Sequence, residues 1–374
     1  MKKWMIACGV IGFVSVCSYA RVDFSKPAPV KKFKPITTTI VQTKPTQGPT
    51  AAPQPARPFT GQSFSSVPAN VIPITSLNES IKNSAGTPRH EPCSAVRLTS
   101  KLVLTANHCL VNAFAHGNQI LATPFVAEDG KTGLVLSKSH NGDVVKPNAE
   151  VIFYRPNYTA SLSKEGTAFD FALIKLDSSL KYNPAAVSVQ LQQASAELAL
   201  LPADMQEALK ASIQQTVQQE FNKTSAAYKK FMNTSLKKFD LLEMSPDVVS
   251  NELKGRWLRA YFWGGYEFDQ KRDKVEIFTG SVVGPDFEHN NSHALVFNLK
   301  VVPGTSGSPI LDTQRNLVVS VASLSDLNQL RAQGGLISAE VCQWVKSHDA
   351  SVKCLAVYGG ATYAETPKTA GWGR

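Results

Sequence analysis

Beyond Ile74 the chain alternates short apolar runs with turn residues: Ala95–Leu98, Leu102–Thr105, Ile120–Val126, Leu134–Leu136, Val151–Tyr154 and Phe171–Leu176. Runs this short, spaced this regularly, predict strands of an all-β architecture. A second series follows at Trp257–Phe268, Val275–Val283, His293–Val302, Ile310–Leu311 and Leu317–Ala322. Between the two series, from about Ala194 to Ser250, the period changes. Met205, Leu209, Ile213, Val217 and Phe221 recur at i+4, with Gln206, Gln214, Gln215, Gln218 and Gln219 mostly elsewhere on the wheel, which is a helical pattern. Pro202 marks its start, Asp204 with Glu207 suggests a capping box, and Tyr228, Phe231, Leu236 and Phe239 suggest a second helical stretch. The expectation is a helical hairpin laid on a β body.

The segment ahead of the β pattern has neither period. Eight prolines fall between Arg21 and Phe59, among Thr, Gln and Lys, a composition that predicts an extended, solvated tether. Residues 1–20 read as an export signal: Lys2 and Lys3, the apolar stretch Met5–Val16, and small residues at Ser18 and Ala20 for cleavage. That apolar stretch falls short of the ~20 residues that span a bilayer. Val16 before Cys17 also disfavours a lipoprotein signal.

Charge and cysteine content narrow the function classes. The net charge is +10, but the first sixty residues carry eight of those charges. The body is nearly neutral, which removes the concentrated basic footprint that phosphate recognition needs. After signal removal four cysteines remain: Cys93, Cys109, Cys342 and Cys354. An even number suits two bridges in an oxidising compartment. Of three pairings, loop closure favours Cys93 with Cys109 and Cys342 with Cys354, and the absence of closely spaced ligand pairs argues against zinc.

Three segments carry candidate chemistry. Thr105-Ala106-Asn107-His108-Cys109 ends a strand in a histidine beside a cysteine, and Phe169-Asp170-Phe171 wedges an acid among apolar residues. Gly304-Thr305-Ser306-Gly307-Ser308-Pro309 flanks a serine with glycines, permitting a tight turn that exposes Oγ and aims backbone N–H groups at one point. A serine nucleophile needs a base, and the base needs an anion to hold its tautomer. His108, Asp170 and Ser306 supply those parts in the order His, Asp, Ser. Asp143 and Asp177 are alternatives for the acid. His289 and His293 sit four residues apart near Asp286 and Glu288, but Pro285, Asn290, Asn291 and Ser292 argue for a loop rather than a metal site.

In these motifs and their order, the chain from about residue 74 to 360 resembles the trypsin/chymotrypsin superfamily of serine proteases, and its serine segment is most similar to bacterial glutamyl-endopeptidase-like members. The separation of sixteen residues between Cys93 and Cys109 matches the family's bridge beside the catalytic histidine. The resemblance implies a mainly β fold of two orthogonal six-stranded antiparallel barrels, here with an inserted helical hairpin and a closing helix around Val341–Val345. It also implies His108 as general base, Asp170 as its orienting acid, Ser306 as nucleophile, and the N–H groups of Gly304 and Ser306 as oxyanion hole.

Three departures stand out. Thr305 occupies the place of the aspartate that receives a new N-terminus in zymogen-activated relatives, so that switch is absent. The position six residues before the nucleophile, the pocket floor in trypsin-like members, is Lys300. The histidine that glutamyl endopeptidases place about fifteen residues after the nucleophile is replaced by Ser320 and Val321.

The expected organisation is a signal peptide at 1–20, a tether at 21–73, an N-terminal barrel at 74–190, a helical insertion at 191–252, a C-terminal barrel with closing helix at 253–360 and a tail at 361–374. The expected function is an exported serine endopeptidase, periplasmic or extracellular, with a non-catalytic binding or adhesion protein on a protease scaffold as the alternative. Expected partners are protein or peptide substrates, with no nucleic acid, no stable membrane insertion after signal cleavage, no cofactor, no metal, and a monomeric state.

Overall fold

A computed structural model describes residues 68–82, 86–126, 130–156, 167–249, 257–264, 274–286, 291–298, 304–312, 316–326, 331–358 and 362–365. Seven strands form the first barrel: β1 (Val71–Lys82), β2 (Pro88–Arg97), β3 (Leu102–Thr105), β4 (Gln119–Val126), β5 (Thr132–Lys138), β6 (Ala149–Phe153) and β7 (Ala172–Leu176). They pair in the order β1-β2-β3-β7-β6-β4-β5. The ring closes through parallel pairing of Ile74, Thr75 and Ser76 with Leu134, Val135 and Leu136. This corrects the expected six antiparallel strands. A closed ring with an odd number of strands cannot alternate direction all the way round, so one seam must be parallel.

The second half comprises β8 (Asp240–Glu243), β9 (Trp257–Gly264), β10 (Lys274–Asp286), β11 (Asn291–Asn298), β12 (Pro309–Asp312), β13 (Leu317–Asp326), β14 (Arg331–Leu336), β15 (Cys354–Tyr358) and β16 (Thr362–Glu365). Six of these, in the order β12-β9-β10-β11-β14-β13, close into a ring through β12–β13 pairing. All six contacts are antiparallel. Outside the ring, β8 adds in parallel to β13, and β15 adds in parallel to β8. Strands β8, β14, β15 and β16 lie outside the predicted runs. Arg331-Ala332-Gln333-Gly334-Gly335-Leu336 shows why: its buried pairing strand contains two glycines and little apolar alternation.

The helical segment also differs from the expected hairpin. Helix α1 (Ala185–Gln193) precedes a single 30-residue helix α2 (Ala203–Met232). No proline or glycine interrupts residues 222–227. Val217 and Tyr228 are eleven residues apart, about three whole turns at ~3.6 residues per turn, so both apolar stretches face one way on one helix. Leu236 and Phe239 lie beyond its end. The predicted capping box does not form. Pro202 is the N-cap with no side-chain hydrogen bond, and Gln206 Nε2 instead donates to Leu201 O at 2.9 Å. Helix α3 (Ala339–His348) is the expected closing helix, capped by Ser338 Oγ accepting from Val341 N.

Burial follows this architecture. Val103, Leu104, Val151, Phe171 and Ile174 fill the first barrel, in a cluster that continues through Phe231, Val321 and Val345. Leu258, Val282, Leu295, Phe297 and Ile310 fill the second. Ile213 and Val217 of α2 pack with Ala186 of α1 and Leu121 of β4. The apolar face of α2 is thus satisfied by the first barrel, and its glutamine-rich face remains in solvent. Among the described residues no helix is long and apolar enough to cross a membrane.

Candidate active site

Strand β3 ends at Thr105, and the chain turns through a short 3-10 segment, Asn107–Cys109, that carries His108. The Cys93–Cys109 bridge ties that segment to β2. A second 3-10 turn, Thr167–Phe169, delivers Asp170 at the mouth of β7. Because β3 and β7 are paired from Leu102 to Thr105, their ends bring His108 and Asp170 together across 62 residues of sequence. His108 Nδ1 lies 2.6 Å from Asp170 Oδ2, and the His108 backbone N–H donates to Asp170 Oδ1 at 2.9 Å.

Asp170 is 2% exposed. Its third donor is the Ser323 hydroxyl, from β13, which bonds Oδ2. Burial alone would raise the carboxyl's pKa, but the charge and hydrogen bond of His108, then the Ser323 and backbone bonds, outweigh it and hold the acid below its ordinary range. For His108, burial disfavours the imidazolium, while Asp170's charge and hydrogen bond, and the charge of Glu91, prevail and raise its pKa above 6.5. Of the three candidate acids, the structure places Asp170 against His108. Asp143 instead accepts from the His140 backbone at 2.5 Å, and the carbonyl of Asp177 accepts from Tyr228.

The serine turn sits on β2. Gly304 and Gly307 have φ of +95° and +80°, values that side chains with a Cβ rarely adopt. A Cβ on Gly307 would fall 2.1 Å from Ser94 O and 3.2 Å from Ala106 N, so the turn lies directly on the segment leading to His108. Ser94 N donates to Ser306 O at 2.8 Å, and Ser94 Oγ donates to Gly304 O at 3.2 Å. Thr105 Oγ1 donates to Ser94 O at 2.8 Å. Ser306 is half-buried, and among the described residues no hydrogen bond joins it to His108. Ser323 and Ser94 escaped the sequence reading, and Thr105 entered it only as part of the histidine motif, without its bond to Ser94. Each is an ordinary strand serine or threonine whose role depends on partners as far as 210 residues away.

Both cysteine pairings are as loop closure favours: Cys93–Cys109 and Cys342–Cys354. Among the described residues, one cluster of metal-ligand types occurs, Cys93, His108 and Cys109, and its sulfurs are joined to each other. His293 is exposed, with its ring 6.1 Å from that of Phe169. His289 and Lys300 lie outside the described residues.

Residues 75–206 match the Trypsin family, a span that includes His108 and Asp170 and ends ahead of Ser306. The fold is trypsin-like. Solved structures similar to this chain include a Glu endopeptidase in complex with MPD, at TM-score 0.39 and 14% identity over 79% of this chain and 97% of that one. HL collagenase aligns at TM-score 0.39 and 13% identity, covering 76% and 94% of the two chains. A thermostable serine protease AL20 from an extremophilic microorganism aligns at TM-score 0.39 and 12% identity, covering 76% and 98%. Comparison with curated proteins gives no match.

Proposed function

We propose that this chain is an exported serine endopeptidase acting through His108, Asp170 and Ser306. The observation that carries the reading is the contact of His108 Nδ1 with a buried, multiply bonded Asp170. With Nδ1–H donated to that carboxylate, Nε2 is left as the basic nitrogen. Ser306 Oγ attacks the peptide carbonyl as its proton passes to Nε2, and the new oxyanion is received by the N–H groups of Gly304 and Ser306. The imidazolium, stabilised by Asp170, gives its proton to the leaving amine as the C–N bond breaks. Water then hydrolyses the acyl-enzyme by the same base in reverse roles. A hydrogen bond from Ser306 to His108 that forms only with substrate bound is ordinary for such a site.

Two disulfides support folding in an oxidising compartment outside the cytoplasm. The test is hydrolysis of denatured casein by residues 21–374, wild type against Ser306→Ala. Cleavage by the wild type alone is expected. Equal cleavage by both removes Ser306 from the mechanism, and cleavage by neither moves the assignment to a binding protein on this scaffold.

A further inference from the structure

We infer that the Ser94 hydroxyl is a positioning group for the oxyanion hole, an inference that rests on the reading of Ser306 as nucleophile. The two oxyanion donors are the N–H groups of Gly304 and Ser306. The main chain between them, Gly304-Thr305-Ser306, must hold a fixed shape for both to point at one oxygen. Gly304 cannot hold that shape by itself. At φ +95° and without a Cβ it has more accessible backbone conformations than any other residue type.

Ser94 supplies the missing restraint from outside the turn. Its backbone N–H bonds the Ser306 carbonyl at 2.8 Å and its hydroxyl bonds the Gly304 carbonyl at 3.2 Å. One residue therefore holds the carbonyls of both residues that donate to the oxyanion. Ser94 is itself held firmly. It is completely buried in β2, its carbonyl accepts from Thr105 Oγ1 at 2.8 Å, and the preceding Cys93 is bridged to Cys109 beside His108. The hydroxyl fixes the Gly304–Thr305 peptide plane relative to the same strand that carries the histidine's tether. It touches neither substrate nor the reacting atoms.

Loss of one neutral hydrogen bond to a buried carbonyl should slow the step that builds negative charge on the oxyanion by about 3- to 10-fold. The probe is a fluorophosphonate, whose phosphoryl oxygen occupies the oxyanion position during attack by Ser306. For Ser94→Ala the maximal labelling rate should fall by that factor, while the half-saturating probe concentration and the midpoint of the acid limb remain those of wild type. Binding and the His108–Asp170 pair are then unaffected, a separation that general loosening of the barrel would not produce. If the alanine variant loses its cooperative thermal transition, Ser94→Cys keeps the volume with a weaker donor and should show a smaller fall of the same kind. A maximal rate equal to wild type in the folded variant overturns the inference. So does a loss expressed in half-saturation or in the pH midpoint. A wild-type protein that does not label at all refutes instead the assignment of Ser306, a distinguishable failure.

Discussion

Asp170 works as an anion because three donors converge on it, two from His108 and one from Ser323. Its depressed pKa contributes stability that is present above the ordinary value of 3.8 and is lost as pH falls through the lower folded value. The raised pKa of His108 contributes stability that is complete below 6.5 and fades as pH rises through the higher folded value. In the proposed mechanism His108 has the opposite requirement, since a general base must be neutral. The acid limb of kcat/KM should therefore have its midpoint above 6.5, and a profile flat from pH 8 to pH 4 would exclude a histidine base. Asp170→Asn should shift that limb to lower pH and reduce kcat by about 10⁴-fold, the scale of losing the orienting anion in a serine triad. Retention of the wild-type limb in that variant would separate Asp170 from the base. The pairing of His108 with Asp170 was legible because each lies in a local motif. Ser323 was not, because only the pairing of distant strands brings its hydroxyl to Asp170.

Helix α2 is fastened to the first barrel at its C-terminal end. Arg97, buried at the end of β2, donates from Nη1 to Phe231 O at 2.9 Å and from Nη2 to Ser100 O at 3.2 Å, with its guanidinium carbon 3.9 Å from the Phe231 ring centroid. A cation at this position also meets the negative end of the helix dipole. Burial lowers its pKa to about 10, yet it stays cationic at neutral pH. Tyr228, pushed up to about 12 by burial, donates to Asp177 O at 2.7 Å. Tyr228→Phe should cost about 1 kcal/mol in urea unfolding, the ordinary value of one hydrogen bond. Arg97→Ala should cost on the order of 3 kcal/mol, because it opens a cavity and strips two carbonyls of their donor. Equal stability of the Arg97 variant and wild type would show that the fastening contributes nothing. Helix existence was legible from the i+4 stripe at Leu209–Phe221. The single long helix was not, because the seven-residue step from Phe221 to Tyr228 looks like a break until it is counted as about two turns.

At the scale of the molecule, the two rings meet through the serine turn: β12 follows it within the second ring, while Ser94 of the first holds its carbonyls. Two β-rich halves were legible from two series of short apolar runs, and their closure into barrels was what the family resemblance implied, whereas the seventh strand and parallel seam depend on closure, which no local pattern encodes. β1 begins at Val71, and Ile72 and Ile74 are buried within it. Ile74 is thus an interior strand position paired with Cys93 and Leu134, and no new N-terminus at that point is needed in the proposed mechanism. Additional residues ahead of Val71 should leave kcat/KM within about twofold, and a chain starting at Ile74 should be less stable, having lost apolar burial at two strand residues. A protein inert until cut at that point would refute this. The central claim is that Ser306, activated through His108 and Asp170, is the nucleophile. Its most direct test is fluorophosphonate labelling of wild type, Ser306→Ala and His108→Ala, followed by peptide mapping by mass spectrometry. The account predicts one adduct on Ser306 in the wild type, none in Ser306→Ala and strongly slowed labelling in His108→Ala. An adduct on another residue, or labelling that proceeds at the wild-type rate without His108, would contradict it.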